Sequence, residues 1–95
     1  VVLKGANTVI CDANGSSTIS PFANPILSSA GTGDVLAGLI AGFIGQGSSP
    51  LDASSLGVYI HGKTAESVSL QIGSSGLLAT ELVNNVPFTI KYLRN

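Results

Sequence analysis

The residues of this sequence best suited to chemistry are four consecutive ones, Gly31-Thr32-Gly33-Asp34, directly before an apolar run. They are expected to begin a helix, whose first backbone amides have no intrahelical carbonyl to bond and therefore attract anions. The glycines carry no Cβ, so a ligand can approach the backbone closely. In the first turn, Asp34 is placed to take a proton from a substrate hydroxyl while the amides stabilise charge on a phosphoryl group.

The same tetrapeptide also has a purely structural interpretation, and by itself it does not decide between the two. Asp34 would then only complement the helix dipole, which is worth ~0.3–1 kcal/mol. Two familiar phosphate-binding patterns do not apply. No Lys follows the second glycine, as G-x-x-x-x-G-K-S/T requires, and Leu36 stands where G-x-G-x-x-G has its third glycine.

Short strands are expected upstream of this segment. Val1–Leu3 and Thr8–Cys11 are β-prone, and Asn14-Gly15 favours a tight turn with positive φ that joins the second run to Ser17–Ser20. Pro21–Gly33, rich in Pro, Asn, Ser and Gly, predicts an irregular connection that ends at the helix start.

Helices are expected downstream. The first is apolar on nearly every side, so it should be surrounded by other elements, and its glycines should allow close backbone contact. It ends at Gly45–Ser48, and Ser49 as N-cap before Pro50 predicts a second helix to about Leu70. A short helix is expected from Thr80 to Asn85, with Pro87 marking the next turn or helix start.

Composition indicates a compact apolar unit with little charge for a surface of its own. Hydrophobic residues make up 44% of the 95 residues and charged ones only 9%, against roughly 25% in typical domains. The chain opens on Val1, contains no Met, and has too few strands to cover its helices. We therefore expect a fragment of one larger domain whose main sheet lies upstream, and a homo-oligomer.

Several partner classes and sites are disfavoured. A net charge of -1 with four scattered cations argues against nucleic acid, and the longest apolar stretch, Val35–Ile44, is half of the ~20 residues of a membrane span. Cys11 is the single cysteine, so no internal disulfide or cysteine metal cluster is possible, and the cytoplasm is the expected compartment. His61, without a catalytic partner at a telling spacing, is expected to be structural, and Tyr59 and Tyr92 to be core or subunit contacts.

Taken together, six segments resemble the ADP- or ATP-dependent NAD(P)H-hydrate dehydratase family of the ribokinase-like superfamily. They are Leu3–Gly5, Thr8–Ile10, Asn24-Pro25, Gly31–Gly38, Gly57–Gly62 and Gly76–Leu82. The Gly-Thr-Gly-Asp run is shared by the superfamily, whereas Gly57–Gly62 (Gly-Val-Tyr-Ile-His-Gly) points to the dehydratase branch. The resemblance covers nearly all of the chain.

The resemblance implies that residues 1–95 are the C-terminal portion of an α/β, ribokinase-like αβα sandwich. Its implied reaction is a carbon–oxygen lyase step of metabolite repair. The hydroxyl of hydrated NADH or NADPH (NADHX or NADPHX) is phosphorylated at the expense of ADP or ATP, and phosphate is then eliminated. Mg²⁺ would bridge the nucleotide phosphates without a protein metal site. Asp34 would contact the substrate and act as base beside Gly31, Thr32 and Gly33. The implied nucleotide contacts are Lys4, Gly5, Ala6, Asn7, Thr8, Asn24, Pro25, Ser28, Ser29, Ala30, Gly31, Thr32 and Gly33.

Two other functions stay open on the sequence. A vitamin-precursor kinase of the same superfamily would share the carboxylate at the helix start. A non-catalytic nucleotide-binding or oligomerisation module would account for the apolar, weakly charged composition.

Overall fold

A computed structural model of the chain describes residues 2–3, 8–15, 17–19, 32–72 and 79–94. Their fold is a small antiparallel sheet followed by helices. The strands are β1 (Val2–Leu3), β2 (Val9–Cys11) and β3 (Ser17–Ile19), in the order β1-β2-β3. The helices are α1 (Thr32–Gly45), α2 (Pro50–Ile72) and α3 (Ala79–Arg94).

The β2–β3 hairpin predicted from Asn14-Gly15 is confirmed. Cys11 pairs with Ser17 and Val9 with Ile19. The amide of Asn14 donates to Asp12 Oδ1 at 2.9 Å, and the amide of Gly15 donates to the Asp12 carbonyl at 3.2 Å. Of the two turn residues only Gly15 has positive φ, +86°, so the turn begins at Asp12 and is wider than a two-residue turn.

Local capping fixes the connection between α1 and α2. The amide of Ser48 donates to Phe43 O at 3.1 Å and that of Gly47 donates to Ile44 O at 3.0 Å, while Gly47 has φ +104°. This is the Schellman arrangement, in which glycine takes the left-handed conformation after a helix. At the next helix, Ser49 Oγ accepts the Asp52 amide at 3.2 Å, which confirms the predicted N-cap.

The central helix is α2, which packs against α1, α3 and β2. One apolar cluster joins Ile10, Leu36 and Val58, and a second joins Ala65, Val68 and Leu82 with Val35 packed against it. Among the described residues only Thr32 and Leu36 of α1 are buried, so the expectation that other elements surround this helix stays a prediction. Although α1 is apolar on nearly every side, the described elements cover one side of it.

Helix α3 continues through Pro87, so the prediction of a short helix that stops near Asn85 is wrong. Proline cannot donate to the carbonyl four residues before it, but Pro87 and Val83 both lie on the exposed side, where water can satisfy that carbonyl. Beyond Pro87, the Thr89 hydroxyl lies 2.7 Å from the Thr64 hydroxyl in a buried hydrogen bond with α2. This tertiary contact therefore stabilises α3 beyond Pro87.

Two tyrosines expected in the core or at a subunit contact are exposed. Tyr59 on α2 is 40% exposed and Tyr92 on α3 is 71% exposed. Neither belongs to the core of the described structure, and a subunit contact of either tyrosine stays a prediction.

The close approach of α1 to α2 occurs at a glycine of α2. A Cβ added to Gly57 would lie 2.7 Å from Ile40 Cγ1 and 3.5 Å from the Ile40 nitrogen. By contrast, in the described part of the chain nothing lies within 4 Å of a Cβ added to Gly38 or Gly42 on α1. Among the described residues the close contact is therefore made by Gly57, where an added side chain would push the two helices apart, and close contact at the α1 glycines stays a prediction.

Replacing Gly57 by Ala should lower the free energy of unfolding by about 1–3 kcal/mol, because the β-branched Ile40 has little freedom to move aside. Gly42→Ala is the matched control and should raise stability by up to ~1 kcal/mol, because it removes a flexible glycine from an open helix position. Denaturant unfolding of the full-length variants measures both. Equal stabilities of Gly57→Ala and the unmodified protein would contradict the close packing.

Candidate active site

The candidate site is the first turn of α1, where one face is anchored and the other is open. Thr32 is 1% exposed, Leu36 is buried in the cluster with Ile10 and Val58, and Val35 packs on the second cluster. These three residues share a helix face because they are three and four positions apart. Asp34 lies off that face and is exposed. The turn is therefore held by core packing while its carboxylate is presented outward.

A buried hydrogen bond fixes the beginning of this turn. His61 Nε2 lies 2.8 Å from the Thr32 carbonyl oxygen, and His61 is only 3% exposed. Because a carbonyl can only accept, Nε2 must carry the proton that it donates. The expectation of a structural role for His61 is confirmed, and its partner is the first residue of the candidate site.

Asp34 also lines an apolar groove between α1 and α3 with a volume of about 570 Å³. Gly38 and Gly42 continue the groove along α1, and Val86 and Ile90 line it from α3. A groove with so few polar groups offers shape and apolar contact rather than hydrogen bonds. Asp34 lies at one end of the groove, next to the start of α1.

Charged groups are sparse around this turn. Among the residues that the structure describes, the one ion pair is Lys63 Nζ to Glu66 Oε1 at 3.4 Å, on the surface of α2, so none involves Asp34. The described part of the chain contains no group of three or more His, Cys, Asp or Glu side chains able to hold a metal ion. Within the same residues, no helix is long and apolar enough to cross a membrane.

Most of the expected nucleotide contacts lie outside the described residues. These are Lys4, Gly5, Ala6, Asn7, Asn24, Pro25, Ser28, Ser29, Ala30 and Gly31. Thr8 is described and half-buried directly before β2, two residues from Ile10, which packs with Leu36 of α1. The packing of β2 therefore brings the Thr8 end of the hairpin to the same cluster that anchors Thr32, Gly33 and Asp34.

Similarity to known proteins decides the family. A family model described as NAD(P)H-hydrate dehydratase matches residues 1–87. The chain belongs to the NAD(P)H-hydrate dehydratase family. Among its relatives, the bifunctional NAD(P)H-hydrate repair enzyme of Moorella thermoacetica is 41% identical over 93 residues, which are 98% of this chain and 18% of that protein. The ADP-dependent (S)-NAD(P)H-hydrate dehydratase of Xanthomonas campestris is 37% identical, over 92% of this chain and 30% of that protein.

A solved structure of this family has the same fold. The ADP/ATP-dependent NAD(P)H-hydrate dehydratase of Bacillus subtilis, co-crystallised with ATP/Mg²⁺, superposes with a TM-score of 0.90 at 37% identity. The similarity covers 96% of this chain and 33% of the Bacillus chain. The expected α/β class and ribokinase-like, carbohydrate-kinase-like fold are thereby confirmed. The chain spans no more than about a third of each of these dehydratase-family proteins.

The contact that reasoning from the sequence missed is the one between His61 and Thr32. A signal for burial was present, because His61 lies three residues after Val58 and four before Ala65, on the apolar face of a dehydratase-family helix. A buried imidazole needs a hydrogen-bond partner. The identity of that partner could not be predicted from residue spacing, since Thr32 lies 29 residues from His61 in the sequence.

We expect His61 to carry a proton on Nε2 whether the ring is neutral or charged, because the Thr32 carbonyl can only accept. Long-range ¹H–¹⁵N correlation spectra of the full-length protein, with the His61 signal assigned by its loss in His61→Gln, measure the protonation of each ring nitrogen. A neutral ring with its proton on Nδ1 would contradict the hydrogen bond.

Proposed function

We propose that this chain supplies the catalytic corner of an ADP- or ATP-dependent NAD(P)H-hydrate dehydratase, which regenerates NADH or NADPH from the hydrated cofactor. The observation that carries the proposal is the exposed Asp34 carboxylate on an anchored first turn of α1, beside the half-buried Gly33. Support comes from the family match over residues 1–87 and from relatives named for this reaction.

Asp34 is the proposed general base. Its carboxylate accepts the proton of the substrate hydroxyl as the oxygen forms its bond to phosphorus, so charge does not accumulate on that oxygen. Asp34 is exposed and its turn is fixed by buried neighbours, so it is reachable by a substrate without rearrangement of the core. The first-turn amides would stabilise charge on the transferred group, with Gly33 presenting no Cβ to block their approach.

The nucleotide is the proposed second substrate, held at the start of α1 and by the upstream residues expected to bind it. Bound there, ADP or ATP supplies the phosphoryl group that makes the hydroxyl a leaving group. Thr32 and Gly33 fit a phosphate because they form a helix start, where backbone amides favour anions. Mg²⁺ would bind through the nucleotide phosphates. The relative from Xanthomonas is named ADP-dependent, and the Bacillus enzyme was co-crystallised with ATP/Mg²⁺, which supports this assignment.

The wider organisation is also proposed. Residues 1–95 would form the C-terminal fragment of one ribokinase-like nucleotide-binding domain, and the exposed apolar face of α1 would pack on the rest of it. Ile44, 45% exposed in the described structure, is typical of that face. We further propose a cytoplasmic homo-oligomer that acts on hydrated NADH or NADPH and binds neither nucleic acid nor membrane.

Asp34→Asn in the full-length enzyme should lower turnover of hydrated NADH by about 10²–10⁴-fold, because an amide cannot accept the hydroxyl proton. Nucleotide should still bind, since its proposed contacts are other residues. The assay follows recovery of reduced-cofactor absorbance with ADP or ATP, alongside calorimetric titration of the nucleotide.

Asp52→Asn is the matched control. Asp52 is the third residue of α2, as Asp34 is of α1, and both are exposed. Both variants lose a similar interaction with the helix dipole, worth ~0.3–1 kcal/mol. Equal activities of the two variants would therefore mean that Asp34 only complements the helix dipole. A stable phosphorylated product without recovery of reduced cofactor would instead identify a small-molecule kinase.

A further inference from the structure

We propose, on the basis of the proposed function, that His61 is a positioning residue for Asp34. Its Nε2–H, donated to the Thr32 carbonyl at 2.8 Å, ties the middle of α2 to the first residue of α1. The hydrogen bond sets where the first turn begins and therefore where the Asp34 carboxylate meets the substrate. His61 itself does not touch the reacting atoms.

The bond is strong enough to act as a positional constraint because both partners are withdrawn from water. His61 is 3% exposed and Thr32 is 1% exposed. If the donor were removed, the carbonyl would keep the Leu36 amide of its own helix but lose the bond that ties the turn to α2, so the turn would be free to shift. Apolar neighbours on the same face of α2, Val58 and Ala65, can fill space there but cannot donate a hydrogen bond.

Asp34 depends on its turn because no other constraint holds its side chain in the described part of the chain. The carboxylate is exposed, and the ion pair found among the described residues lies elsewhere, between Lys63 and Glu66. Its place is therefore set by the backbone from which it projects. A displacement of about 1 Å in a group that must be aligned with a reacting atom can cost about 10²-fold in rate.

His61 is also placed where α2 is itself fixed. Four residues earlier, Gly57 lies against Ile40 of α1. Because Ile40 packs against the bare backbone of Gly57, sliding α2 along α1 would bring a larger residue against Ile40, so His61 is held at one position along α1. The hydrogen bond from His61 to the Thr32 carbonyl then fixes the position of the first turn of α1.

The test compares three variants of the full-length enzyme. His61→Phe keeps a ring but removes the donor, His61→Gln places an amide N–H near the position of Nε2, and Ser49→Ala is a control. Ser49 caps α2 beyond the C-terminal end of α1, which lies about 16 Å from Asp34 along the helix, and its replacement weakens α2 without touching the site. His61→Asn, too short to reach the carbonyl, replaces His61→Phe if that variant does not fold.

We expect kcat with hydrated NADH to fall by about 10- to 100-fold in His61→Phe, to recover largely in His61→Gln, and to stay unchanged in Ser49→Ala. In an Asp34→Asn background, His61→Phe should lower the residual kcat by no more than about 2-fold, because its effect passes through Asp34. A full additional loss in that background, or an equal loss in Ser49→Ala, would overturn the positioning role.

Amide hydrogen exchange separates this proposal from the proposed function. The Leu36 amide, which helix geometry pairs with the Thr32 carbonyl, should exchange faster in His61→Phe than in the unmodified protein and His61→Gln. If the unmodified protein does not regenerate NADH, the proposed function fails, and the exchange rates still decide whether His61 holds the turn. An unchanged exchange rate of the Leu36 amide in His61→Phe would contradict the role of His61 in holding the turn.

Discussion

The packing of α2 on α1 is the constraint on which the rest of the described structure depends. Gly57 brings the helices so close that a single added carbon would meet Ile40 at 2.7 Å. At this separation Val58 reaches the cluster with Leu36 and Ile10, and His61 reaches the Thr32 carbonyl. A slightly wider separation would break the hydrogen bond and open the cluster, since interiors tolerate few gaps. Sheet, helix start and candidate site are therefore set by one helix–helix contact.

Features governed by neighbouring residues could be predicted from the sequence. The turn at Gly15, the end of α1 at Gly47 and the cap of α2 at Ser49 each depend on residues within about one helical turn. Positive φ selects glycine, and a side-chain oxygen selects an N-cap. The start of α1 at Thr32, with Asp34 in its first turn, followed from the same kind of reasoning. Local rules were sufficient here because the decisive atoms are close in sequence.

Features governed by distant contacts could not be predicted in this way. Pro87 is a reliable helix breaker in an isolated segment, yet α3 passes through it because Thr89 bonds to Thr64 on α2. The choice of α2 as the central helix likewise depends on which neighbours are present. Apolarity singled out α1, but the described elements bury only Thr32 and Leu36 of it. The hydrogen bond between His61 and Thr32 can form only when both helices are in place.

The two helix starts of this chain show why an acidic residue in a first turn does not by itself identify a site. At α2 the Ser49 hydroxyl oxygen accepts the Asp52 amide, and Pro50 contributes no N–H, so little remains for an anion to bind. The residue before α1 is Gly31, which has no side-chain oxygen with which to cap the helix. Its first turn also contains Gly33, and His61 contacts the Thr32 carbonyl there. The proposed phosphate site at α1 therefore depends on the family match and on the exposed Asp34 in an anchored turn, and not on the helix start alone.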